Sequence, residues 1–255
     1  MNIIRRSFIG VVTLPKYMLF SIMCLIYLLA MLFVRIENYS APFHILATSI
    51  LMQGFKSNFA WFLPSLVLFT HCNSIYPQRD FYRQKLGSYA KESYSVVLQM
   101  FMCLCICYLN YLGTIIITYC ITANLHLSNV LLYDTSQLIY SVNGWINQMF
   151  LTFLWGGFYT LLFAFISQLI QRVVFSVIFT VVCIFVDETI HLVLTTPPYW
   201  LLPSEHAYLQ KSNGNYADLI NNYSYWILAY FVIILLFLSV VRFIKGCAIN
   251  ESNIH

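Results

Sequence analysis

Six apolar stretches, each about as long as a bilayer core is thick, divide this chain of 255 residues. A helix needs about 20 such residues to cross hydrocarbon. The stretches fall near 17–34, 57–76, 94–119, 148–170, 173–193 and 225–241. Their number and length predict an all-α, polytopic integral membrane protein with six transmembrane helices.

The cations give this zigzag a direction. With the N-terminus inside, Arg5, Arg6, Lys16, Arg79, Arg83, Lys85, Lys91, Arg172, Arg242 and Lys245 collect on one side, ten of the 13 Lys and Arg residues. Only Arg35, Lys56 and Lys211 collect on the other. Cytoplasmic loops are enriched in Lys and Arg, so both termini are expected in the cytoplasm.

Composition agrees. The chain is 60% hydrophobic, 18% aromatic and 9% charged, against about 25% charged residues in soluble domains. The formal charge of +4 follows the topology and forms no separate basic domain, so it does not point to nucleic acid. No stretch between spans is long enough for a further folded domain, and 1–255 reads as a single transmembrane domain. The first apolar run, 17–34, exceeds a signal-peptide core and no A-x-A-like cleavage site follows it, so it reads as a retained span.

Cys103, Cys105 and Cys107 suggest a metal triplet on paper. On a helix, residues two apart point to nearly opposite faces, so the three cannot converge on one ion. Cysteines within spans read as small apolar packing residues.

Ahead of the first span, Ile3, Ile4, Phe8, Val11, Val12 and Leu14 recur at helical spacing. This predicts an N-terminal amphipathic helix on the inner membrane surface, its Arg5-Arg6 pair reaching acidic headgroups. Pro64 falls inside the second span, where it removes a backbone hydrogen bond and bends the helix. A fixed bend and a moving one are both open at this point. Residues 77–92 then form the one charge-dense inner segment, with Arg79, Asp80, Phe81, Tyr82, Arg83 and Lys85 interleaving cations and aromatics. A short amphipathic docking helix and a solvated loop both fit it.

On the outer side, the stretch 194–224 opens with 195–203, which is apolar but carries Pro197, Pro198 and Pro203, so it cannot span. The expectation is a segment resting in the outer interface, with Tyr199 and Trp200 at headgroup level. Trp61, Trp145 and Trp226 are expected near the same face.

The fifth span ends in Asp187, Glu188 and His191. A carboxylate at mid-bilayer costs about 2.5–3.5 kcal/mol on insertion scales, so an adjacent pair needs an explanation. At about 1.5 Å per residue from Val173, Asp187 lies roughly 9 Å below the outer edge. Glu188 and His191 share a helix face, and Asp187 points about 100° away. A metal site built on E-x-x-H needs further ligands, and neither a second copy nor H-E-x-x-H occurs. These residues read as a polar patch lining an outer cavity or a helix junction, with no metal. The chain also lacks a phosphate loop and G-x-S-x-G.

This order of features resembles the small six-span permease subunits of type-2 ATP-binding-cassette exporters from bacteria. The matching residues are Leu63-Pro64-Ser65-Leu66, then Phe81-Tyr82-Arg83-Gln84-Lys85. A hairpin with a basic turn follows, from Phe153-Leu154-Trp155-Gly156-Gly157-Phe158-Tyr159 through Ser167-Gln168-Leu169-Ile170-Gln171-Arg172. The family's partly re-entrant outer segment looks like 187–203 here, and the usual Lys at the hairpin turn is replaced by Gln171-Arg172.

The resemblance implies a multi-pass protein of the bacterial plasma membrane that exports an amphipathic or apolar substrate such as a peptide, bacteriocin, drug or lipid. Arg79, Asp80, Phe81, Tyr82, Arg83 and Lys85 would sit in or beside a helix that couples to separate ATPase subunits. Those partners would bind the ATP and magnesium, and this chain would need no cofactor and be no enzyme. A second permease chain would complete the pathway, with Pro64, Asp187, Glu188 and His191 lining it or its outer cavity. Two other classes remain: a non-transporting membrane immunity or assembly protein, and a metal-dependent intramembrane enzyme at Asp187, Glu188 and His191.

Overall fold

A computed structural model describes residues 55–74, 89–123, 142–170, 173–193, 202–208 and 216–252. These form six helices: α1 (Phe55–Ser74), α2 (Tyr89–Ala123), α3 (Val142–Ile170), α4 (Val173–Val193), α5 (Pro203–Ala207) and α6 (Tyr216–Ser252). Among the described residues there is no strand. The fold is all-helical, as the sequence predicts. The N-terminal surface helix, the span at 17–34 and the inner segment with Arg79, Asp80, Phe81, Tyr82, Arg83 and Lys85 lie outside the described residues.

Helices stand where the other five spans are expected, and several outrun their apolar runs. α3 begins at Val142, ahead of the expected 148, and α6 covers Tyr216–Ser252 around an expected 225–241. Hydropathy marks where lipid must be faced, whereas the backbone ladder continues past it. The polar first turns of α3 are held locally and by a neighbour. Asn147 Nδ2 donates to the Asn143 carbonyl at 2.8 Å, and Tyr223 Oη of α6 donates to Asn147 Oδ1 at 2.9 Å.

Three stretches among the described residues are long and apolar enough to cross a membrane: Tyr94–Ile117, Val142–Ser167 and Leu219–Phe243. α1 contributes a shorter apolar run, Trp61–Thr70. Large apolar side chains remain on the outside of the bundle. α4 turns Val174, Phe175, Ile178, Phe179, Val182, Phe185 and Val186 outward as a stripe, and α6 exposes Ile227, Leu228, Phe231 and Phe243. Apolar surface so extensive is rare on a soluble monomer and is consistent with a membrane protein, whose acyl chains would cover it.

α3 is the hub, touching each of the other five helices. Only two residues separate it from α4, which makes the two an antiparallel hairpin. Leu151, Trp155, Tyr159 and Phe163 recur every fourth residue along α3 and are all buried. Against them α1 brings Trp61, Phe62, Leu66 and Phe69, while α2 brings Met100, Leu104, Tyr108 and Tyr111.

The rings meet edge to face, the geometry their quadrupoles favour. Trp61 lies 6.2 Å from Trp155 and 4.6 Å from Tyr108, and Phe62 lies 5.5 Å from Trp155. Trp61 and Trp226, both expected near the outer face, are packed against protein neighbours, 0% and 1% exposed. Trp226 can be buried because its Nε1 donates to the His206 carbonyl at 3.0 Å. Trp145 is only partly buried against the same core.

Pro64 sits inside α1, buried, and the helix runs through it. The freed carbonyl is that of residue 60, four back. The neighbouring hydroxyl, Ser65 Oγ, donates elsewhere, to the Phe62 carbonyl at 2.6 Å. The cysteine triplet divides as helical geometry requires: Cys103 and Cys107 are buried, while Cys105 is half-buried.

Close approach of α1 to α3 depends on Gly156. A Cβ there would fall on the Trp61 ring, 2.7 Å from Cζ3, and Trp61 has no room to withdraw. At Gly113 of α2, an added Cβ would meet nothing within 4 Å. Gly156→Ala is therefore expected to destabilise the purified protein by about 1–3 kcal/mol through overpacking. Gly113→Ala should be neutral or stabilising by up to about 1 kcal/mol. Thermal unfolding of the two variants side by side in one detergent checks the contrast.

Candidate functional site

The polar side chains of the bundle gather where α3, α4 and α6 surround a short turn of chain. This turn, 202–208, belongs to the connection between α4 and α6. The sequence suggests a connection resting in the interface; its described part is instead buried among the helices. Ser204 and Ala207 are fully buried, and Leu202 and Tyr208 nearly so.

Burial is possible because the backbone groups of this turn are answered from outside. Pro203 starts α5 where a missing N–H costs nothing. Leu202 precedes it in extended geometry and offers no side-chain cap. Within the turn the Glu205 amide donates to the Leu202 carbonyl at 3.1 Å. The other anchors described below come from neighbouring helices.

Asp187 of α4 supplies the missing cap. Its Oδ2 accepts the Ser204 amide at 3.0 Å and Tyr159 Oη of α3 at 2.7 Å. The Ser204 hydroxyl lies 3.2 Å from both Asp187 Oδ1 and the Asp187 carbonyl, and donates to one at a time. Glu188, the next residue, holds the other end of α5: its Oε1 accepts Tyr208 Oη at 3.0 Å. Both carboxylates are buried. Hydrogen bonds to a buried carboxylate are what make its charge tolerable.

The remaining anchors come from α3 and α6. Gln148 Nε2 donates to the Ala207 carbonyl and to Thr152 Oγ1, each at 2.9 Å. Trp226 takes the His206 carbonyl as described. The His206 ring stacks on Tyr225, with centroids 3.8 Å apart and planes 17° from parallel. Its Nδ1 lies 3.0 Å from Asn222 Oδ1, so the tautomer with a proton on Nδ1 donates there. Tyr208, on the connection itself, is pushed well above its ordinary range, first by burial and then by the Glu188 charge. Its hydroxyl therefore remains a donor.

Of the residues singled out in the sequence, Asp187 and Glu188 are brought together at this junction. His191 lies in the last turn of α4, its side chain beyond the described ones. Pro64 is in α1, which takes no part in the hydrogen bonds of Asp187 and Glu188 given above. Among the described residues, no three His, Cys, Asp or Glu side chains stand close enough to hold a metal ion.

Sequence reasoning missed Gln148, Tyr159, Ser204, His206, Tyr208 and Asn222. A signal for some was present. Pro203-Ser204-Glu205 reads as a helix start, and Tyr159 falls one turn after Trp155 on an apolar span. A buried acid demands donors, and the tyrosines are the donors such spans offer.

Comparison of the chain with protein-family models, with curated proteins and with solved structures finds no match. The geometry of the site is then the guide to its role. The site engages both carboxylates with the protein's own groups, Asp187 with Tyr159 and Ser204, and Glu188 with Tyr208. It joins three helices through one small piece of chain.

The Tyr159 bond to a buried charge should matter more than the half-buried Tyr223 bond to Asn147. Tyr159→Phe is expected to cost about 1.5–3 kcal/mol and Tyr223→Phe about 0.5–1.5 kcal/mol. Detergent-solubilised thermal or denaturant unfolding of both variants measures the difference.

Proposed function

We propose that this chain is the membrane-embedded permease subunit of an ATP-driven exporter in a bacterial plasma membrane, with its six spans and both ends inside. The observation that carries the reading is the placement of cations in the sequence. Ten of 13 Lys and Arg residues fall on the expected inner side, and the densest cluster, 79–91, interleaves them with Phe81, Tyr82, Leu86 and Tyr89. An inner segment of this kind suits docking to a soluble motor better than contact with lipid alone.

The bundle supports the reading in kind. Three of its helices are long and apolar enough to cross a membrane, and a hairpin of rigid helices is able to rock as a unit. With few fixed charges and many aromatics, it suits an amphipathic or apolar cargo better than an ion. Energy would come from separate ATPase subunits, which bind the nucleotide and magnesium. A second permease chain, the same or different, would complete the pathway.

In this reading Arg79, Asp80, Phe81, Tyr82, Arg83 and Lys85 grip the ATPase, and Pro64, Asp187, Glu188 and His191 belong to the pathway walls or the outer cavity. The intramembrane-enzyme alternative draws no support from Asp187 and Glu188, whose carboxylates are already engaged. Reversing the charges at Arg79, Arg83 and Lys85 together should abolish co-purification of a co-expressed ATPase without lowering membrane insertion. Unchanged recovery of the ATPase overturns the proposal. So does labelling of a cysteine placed at Lys85 by an impermeant thiol reagent applied outside intact cells.

A further inference from the structure

The turn 202–208 is held in an unusual manner for a core element. A five-residue helix has no stability of its own, because nucleation costs more than one turn returns. Its grip is made largely of hydrogen bonds from side chains on three different helices: Gln148 on α3, Asp187 and Glu188 on α4, and Trp226 on α6. Such a set depends on the three helices keeping one relative position. A shift of α4 against α6 by about an ångström or two would break several of these bonds together, since hydrogen bonds weaken steeply with geometry.

A second observation is a polar group beside the turn that no described residue answers. Asn222 of α6 is buried, 4% exposed, and its Nδ2 meets no hydrogen-bond partner among the described residues. Its Oδ1 faces His206 on the turn. A buried donor left unmade is costly and is a place where a structure holds strain. Releasing the turn would let water reach that amide and the two carboxylates, so part of the cost of opening is returned.

We propose that 202–208 is a detachable strap, clasped at one end by Asp187 and at the other by Glu188, that covers the polar faces of α3, α4 and α6. Adjacent residues on one helix hold both ends of the strap, so movement of α4 would loosen both ends together while Gln148 and Trp226 hold its middle. Closed, the strap ties α4 to α6 across α3. Open, it frees the polar faces of Gln148, Tyr159 and the carboxylate pair. Only the purpose of the opening rests on the permease reading, in which it is the outer gate of the pathway.

Hydrogen–deuterium exchange of the full chain in lipid nanodiscs tests the strap. In the wild-type protein, peptides covering 202–208 should exchange at least about tenfold faster than the buried middle of α3, through a local opening that leaves α3 protected. Asp187→Asn removes the charge that strengthens these bonds and leaves one carbonyl oxygen where two carboxylate oxygens accept. It should raise exchange at 202–208 by a further factor of about 10 to 100, with α2 and α3 unchanged.

If 202–208 is as protected as α3 in the wild type, the strap is a fixed part of the core and the proposal falls. It falls equally if Asp187→Asn speeds exchange in all helices alike, or nowhere. Co-purification of the ATPase with the Asp187→Asn variant separates this result from the permease reading. The strap can open in a chain that binds no ATPase, and an ATPase can bind a chain whose strap is fixed.

Discussion

Burying two carboxylates in an apolar bundle is the constraint around which this fold is arranged. Each charge must meet donors, and a bundle of membrane helices has few donors free, because its backbone amides are already used. The chain answers with tyrosine hydroxyls at 159 and 208 and with a backbone amide at the start of a helix too short to use it. The carboxylates require the turn, and the turn requires the carboxylates. Neither would be stable in the interior alone.

The rest of the molecule gives this junction something rigid to act on. α3 carries apolar rings along one face and polar anchors near its start and middle. The same helix thus organises the core with α1 and α2 and the polar junction with α4 and α6. Trp61 and Trp155 press together with their indole N–H groups finding no hydrogen-bond partner among the described residues. Ring packing there outweighs the loss of two weak hydrogen bonds, whereas around Asp187 the balance runs the other way.

Helical class and the placement of five helices could be read from the chain, because membrane-length apolar runs leave little freedom. The ends of α3 and α6 could not, since a helix carries on through polar turns that hydropathy assigns to loops. Asp187 and Glu188 announced themselves by their cost in lipid. Their partners did not, because Ser204 and Tyr208 lie in a proline-marked connection whose composition resembles any surface loop. What brings them inward is the demand of the two acids, a long-range term that periodicity does not carry. Trp61 and Trp226 show another limit: residue type suggested a level along the bundle, and nothing in it said that both rings would be packed against protein neighbours.

The spacing between the α3–α4 turn and the acid pair constrains how the chain can evolve. Residues 185 and 186 face outward with Phe and Val, and 187 and 188 face inward. Gain or loss of a single codon between 173 and 186 would rotate the pair by about 100°. Loss would turn Asp187 to the outward place of Val186, and gain would bring Val186 round to the Ser204 amide, so either change parts the acids from their donors. Point substitutions along the outer stripe of α4 are open to drift, but its length is not.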